Sequence, residues 1–108
     1  GLTRFCFPGY SAYAMAKGAV EVMSRYMANE LSNRKIRVNT LAPGDIETDF
    51  GNGYVRDTSE VNSAIAARTA LGRVGLPDDI GAVVALLLND KSYWINGQRI
   101  EASGGMNI

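Results

Sequence analysis

At 108 residues, 46% hydrophobic and 20% charged, the chain has room for one small folded domain and is not the composition of a disordered one. Its 11 basic and 11 acidic residues cancel, which argues against a nucleic-acid or anionic-membrane surface, and no apolar run approaches the ~18–20 residues of a membrane span. Histidine is absent and Cys6 is the only cysteine, which excludes Ser-His-Asp and Cys-His catalysis, histidine or cysteine zinc sites, and an internal disulfide. Any proton chemistry must then use tyrosine, lysine or a carboxylate. The start Gly1-Leu-Thr-Arg-Phe5 reads neither as a signal peptide nor as a methionine start, and a single cysteine makes a reducing cytoplasm the default expectation.

In chain order, residues 1–9 read as a loop closed by Pro8-Gly9. A long helix is predicted over 11–33, with Val20, Met23, Met27 and Leu31 as its apolar stripe. Residues 36–41 have the β-branched character of a short strand, stopped by Pro43-Gly44. Residues 45–58 are polar and glycine-rich and read as a mobile loop. Its alternating Asp45, Glu47 and Asp49 look like solvated acids, with no metal expected. A helix is predicted from Asp57 to about Thr69, then a turn over 72–77. Pro77, Asp78 and Asp79 suit the positive end of a helix running to about Leu88. That segment is apolar almost all round, so burial on several sides is expected. Residues 98–102 form a last strand before Ser103-Gly-Gly105. Tyr93 and Trp94 fall in the preceding turn as packing or subunit contacts. Strands alternating with helices predict an α/β fold with a parallel sheet. Two strands make a poor parallel sheet, so the chain reads as the second half of a larger α/β domain.

The chemistry concentrates in Tyr10-Ser-Ala-Tyr-Ala-Met-Ala-Lys17. On a helix, Tyr13 and Lys17 lie one turn apart on one face. A free phenol titrates near ~10, too high for proton transfer at neutral pH, and a neighbouring ammonium can lower that by ~1–3 units. The bland alternative is a surface pair on an amphipathic helix.

Tyr13-x-x-x-Lys17 is followed by Arg37-Val-Asn-Thr-Leu-Ala-Pro-Gly44, Thr48, Gly72-Arg-Val-Gly-Leu-Pro77, Asn96-Gly-Gln-Arg-Ile100 and Gly104-Gly105. In this order and spacing they resemble the C-terminal half of a short-chain dehydrogenase/reductase, over essentially the whole chain. The resemblance implies the C-terminal portion of a doubly wound, parallel-sheet Rossmann fold. It implies NAD or NADP as cofactor and interconversion of a carbonyl and a secondary alcohol. By the same resemblance Tyr13 is the acid/base, and Lys17 tunes it and holds the nicotinamide ribose. Pro43-Gly44 turns the chain under the nicotinamide, Ile46 offers backbone groups to the carboxamide, and Thr48 offers a hydroxyl. Tyr10, Gly44 and Phe50 line the substrate pocket, and residues 47–73 form a lid. A homodimer or homotetramer is implied, through the helix at 11–33 and the C-terminal strand, with no nucleic-acid or membrane partner.

The match has departures. The family's glycine-rich phosphate turn has no counterpart here, and its serine is expected just outside Gly1. Ser103 stands where an acid often precedes the final Gly-Gly. Two alternatives stay open: an enoyl-reductase-like relative using Tyr10, and a non-catalytic structural or oligomerisation module.

Overall fold

Helix α1 (Ser11–Glu30) opens the folded part of the chain, in a computed structural model that describes residues 1–108. Alanines and straight-chain residues dominate α1, and Gly18 is its weakest helix former. The predicted end at 33 is corrected. The helix stops at Glu30 and tightens into a 3₁₀ turn over Ser32–Arg34. Lys35 then adopts a left-handed φ of 57° that no helix can continue. The remaining elements are β1 (Thr40–Pro43), α2 (Tyr54–Asp57), α3 (Ser59–Ala67), α4 (Pro77–Leu88) and β2 (Arg99–Ala102). β1 and β2 form a two-stranded sheet. The Thr40 N–H donates to the Gln98 carbonyl (2.8 Å) and the Gly44 N–H to the Ala102 carbonyl (3.1 Å). Equal steps along both strands make the pairing parallel, as the α/β class requires.

The chain divides into two units. The first comprises residues 1–42 and 87–100. Its α1 does not bury the predicted stripe: Val20, Met23 and Met27 are exposed, and the buried positions are Ser24 and Ala28. Small residues allow close approach there. A Cβ added at Gly97 would lie 3.6 Å from Ala28, and the Asn96 amide donates to the Ala28 carbonyl at 3.4 Å. The predicted strand over 36–41 begins instead at Thr40, because polar side chains take over the backbone bonds before it. The Val38 N–H donates to Asn96 Oδ1 (2.9 Å), and the Asn39 side chain binds the Ile95 carbonyl and the Gln98 N–H. The Arg37 guanidinium donates to the carbonyls of Leu87 (2.8 Å), Ser92 (2.9 Å) and Ile95 (3.1 Å). Tyr93 and Trp94 pack edge to face on each other and stay exposed.

The second unit comprises residues 43–86 and 101–108, and its apolar core is Ile65, Val74 and Met106. Isolated bridges join Ile46 to Gly75 and Thr69 to Met106. The single helix predicted from 57 to 69 is two helices, broken where Thr58 turns extended (φ −110°, ψ 103°). Its final residue, Thr69, lies outside α3 and buries its hydroxyl on the Ile65 carbonyl. Helix α4 has the predicted bounds, but none of its residues is fully buried, and Val84, Leu86 and Leu88 are exposed. No helix is long and apolar enough to cross a membrane.

Candidate functional site

In the first unit, α1 brings Tyr13 and Lys17 together one turn apart. The Lys17 ammonium sits over the Tyr13 ring, 5.3 Å from its centroid, with both side chains open to solvent. The positive charge therefore faces the π system that a phenolate charge would spread into. The next residue on that face, Glu21, could have competed for Lys17. It accepts instead from the Thr3 hydroxyl (2.7 Å) and from Arg99 Nε (2.9 Å). Burial raises the Glu21 pKa, but the Thr3 and Arg99 bonds and the Arg99 charge outweigh it and hold the carboxyl below its usual range. Glu21 is thus committed elsewhere, and Lys17 is left to Tyr13. Sequence spacing did not single out Glu21, because its partners come from opposite ends of the chain. Tyr10 is the N-cap residue of α1, and its side chain is exposed. Cys6 is exposed.

In the second unit, the segment after β1 carries Pro43, Gly44, Ile46, Thr48 and Phe50. Gly44 is required by a close approach: an added Cβ would stand 2.9 Å from both Cα and Cβ of Ser103. The parallel bridge to Gly75 uses the Asp45 carbonyl (3.1 Å) and the Glu47 N–H (2.9 Å). In that pattern the N–H and C=O of Ile46 point away from Gly75, which leaves one donor and one acceptor side by side. A primary carboxamide needs that pair. Thr48 Oγ1 accepts the Phe50 N–H (3.2 Å), so its own proton is available to donate. Phe50 is 77% exposed, so it touches little of its own unit.

The acids read as solvated also find partners, and Asp49 stays 92% exposed. Asp45 pairs with Arg68 (3.2 Å), Glu47 accepts from Asn62 (2.7 Å), and Asp49 pairs with Arg56. An open cleft of about 210 Å³ in this unit is lined by Ile46, Arg73, Asp79, Val83 and Ser103 among others. Arg73 forks onto Asp79 (2.7 and 2.9 Å), at the start of α4. That fork, with the Leu76 N–H at 2.7 Å, pulls the Asp79 pKa down to about 2. Ser103 donates to Glu101 (2.7 Å) and accepts the Met106 N–H (3.3 Å), so the serine does local structural work where an acid was expected.

A family model described as enoyl-(acyl carrier protein) reductase matches residues 2–107. An uncharacterized oxidoreductase of Methylorubrum extorquens is 42% identical over 105 residues, covering 97% of this chain and 42% of that protein. The hydroxynaphthalene reductase-like protein Arp2 of Metarhizium brunneum is 41% identical, covering 91% of this chain and 40% of that one. Among solved structures, the promiscuous reductase LugOII, which catalyses a keto-reduction in lugdunomycin biosynthesis, superposes with a TM-score of 0.90 at 41% identity, covering 100% of this chain and 42% of that one. The angucycline ketoreductase LanV, solved with bound NADP, gives 0.88 at 36% identity, covering 99% of this chain and 40% of its own. The chain therefore spans about two fifths of the length of the relatives it matches.

Proposed function

This chain belongs to the short-chain dehydrogenase/reductase family, and on that premise we propose that it serves an NAD- or NADP-dependent oxidoreductase interconverting a carbonyl and a secondary alcohol. The observation that carries this is the Lys17 ammonium over the Tyr13 ring. A bound nicotinamide dinucleotide would supply the hydride. Ile46 would hold its carboxamide through the adjacent N–H and C=O, Thr48 would donate a hydroxyl, and Lys17 would reach its ribose. Tyr13 gives its phenolic proton to the carbonyl oxygen as reduction proceeds, and takes it back in the oxidation direction. Lys17 holds positive charge against the ring while the phenolate exists. Lid residues 47–73, with Tyr10, Gly44 and Phe50 at the pocket, orient the substrate and exclude water.

Self-association as a homodimer or homotetramer belongs to this proposal. It is supported by the exposed Met23 and Tyr26 of α1 and the bare apolar faces of α4. The C-terminal strand is the other expected contact, and a cytoplasmic setting suits the single exposed thiol.

The test is Tyr13→Phe in the protein that carries this sequence. We expect kcat to fall by about 10²–10⁴, the usual worth of a positioned acid/base, with nicotinamide-nucleotide affinity unchanged. Undiminished turnover would refute the role. The family model's description favours a second reading, enoyl reduction with Tyr10 as the proton donor. Loss of activity in Tyr10→Phe with retention in Tyr13→Phe would select it.

A further inference from the structure

We propose that Arg56 is a positioning residue that staples the tip of the lid, residues 49–57, into a preformed cap presenting Phe50 and Tyr54 to a substrate with an aromatic ring. The proposal rests on the carbonyl-reductase reading above and names the substrate class for it.

Gly51, Asn52 and Gly53 have φ values of 62°, 58° and 73°, three consecutive left-handed residues that reverse the chain sharply. Asn52 is the residue type that tolerates this region best after glycine. Arg56 spans the turn. Its Nη1 pairs with Asp49 before the turn, while Nε (2.7 Å) and Nη2 (2.8 Å) fork onto Asp57 after it. Three amides are bonded inside the loop: Gly53 to the Asp49 carbonyl (3.3 Å), Tyr54 to Gly51 (3.3 Å) and Asp57 to Gly53 (2.8 Å). Gly53 sits under the staple, since an added Cβ would lie 2.4 Å from Asp57 Oδ2 and 2.7 Å from Arg56 Nη2. Phe50 and Tyr54 flank the turn and are 77% and 60% exposed. Two large rings held out from a closed, ion-paired loop have no use within their own unit. They suit a flat aromatic surface, which rings bind by stacking or edge contact. No cation competes for these acids within the loop, because Arg56 is its only basic residue.

The test uses Arg56→Gln and Gly53→Ala in the protein that carries this sequence. The second variant disturbs the staple without changing charge. Two ketones serve as probes: 1-tetralone, with a fused aromatic ring, and its saturated counterpart 1-decalone. With both ion pairs exposed, we expect amide exchange of Gly53, Tyr54 and Asp57 to accelerate by about three- to tenfold in each variant. KM for 1-tetralone should rise by a similar factor, and KM for 1-decalone should move less. Unchanged exchange would overturn the staple. Accelerated exchange with KM for 1-tetralone unmoved, or with both ketones affected equally, would overturn the aromatic cap. A wild-type protein that reduces neither ketone would overturn the aromatic substrate class, the exchange result would still report on the staple, and the Tyr13→Phe test reports separately on the carbonyl-reductase reading.

Discussion

Replacing Arg37 with alanine should cost about 2–3 kcal/mol. The guanidinium makes three bonds to backbone carbonyls, and bonds to a charged group are worth about 1.5–3 kcal/mol each. A simple sum would exceed 4 kcal/mol or so, but bonds from one fork are not additive. Each acceptor also keeps a second donor: Leu87 from the Ser92 hydroxyl, Ser92 from the Ile95 N–H, and Ile95 from the Asn39 amide. Truncation therefore strands no buried acceptor, and the larger penalty of an orphaned group does not arise. Lysine at 37 keeps one donor and loses the fork, so about half the cost should return. The assay is urea unfolding followed by far-UV circular dichroism. With slopes of roughly 1–3 kcal/mol per molar, the alanine midpoint should fall by about 1–2 M. The first unit has one buried apolar residue, Ala28, so this polar tether carries an unusual share of its order. A midpoint shift below ~0.3 M, or a lysine variant as weak as alanine, would refute the reasoning.

Asp79 gives a pH prediction. Its folded pKa is depressed to about 2 from 3.8, first by the Arg73 fork and then by the Leu76 N–H. The stabilisation it lends the start of α4 is therefore fully present above about pH 4 and lost as pH falls through about 2. Carboxyl NMR should place its midpoint there, and Arg73→Gln should move it up; an unmoved midpoint would contradict the assignment. Gly44→Ala should cost about 1–3 kcal/mol as overpacking, because the new Cβ meets the Ser103 Cα, which cannot rotate aside. A thermal melt within a degree of wild type would show that the approach is less tight than the structure has it.

The sequence made the element types readable because their signals are local. Pro77 with Asp78 and Asp79 marked the start of α4, and the Tyr13–Lys17 spacing marked a shared helix face. What misled was reasoning that treated apolarity as burial. Met23 and Met27 outrank Ser24 and Ala28 in hydrophobicity, yet only small side chains admit the Gly97 turn. The strand at 36–41 began late for a comparable reason. Its β-branched residues suit a ladder, but Arg37 and Asn39 bind carbonyls fifty or more residues away, a pairing no window of sequence contains. Within the site, the spacing could place Lys17 by Tyr13 but could not say that Glu21 would be occupied by Thr3 and Arg99. Nor could it show Ile46 freed by the Gly75 bridge, since a bridge depends on register and not on residue type.

The parallel pairing of β1 with β2 has a kinetic consequence. A hairpin can zip from its turn, whereas these strands have all of residues 44–98 between them. Their ladder must wait for a large loop to close, so it forms late while α1 and the Arg56-stapled tip form early. During synthesis β1 emerges well before β2, with residues 44–98 made between them. An unpaired strand is an invitation to other chains. For this molecule, the dangerous interval lies in how long β1 must wait for β2.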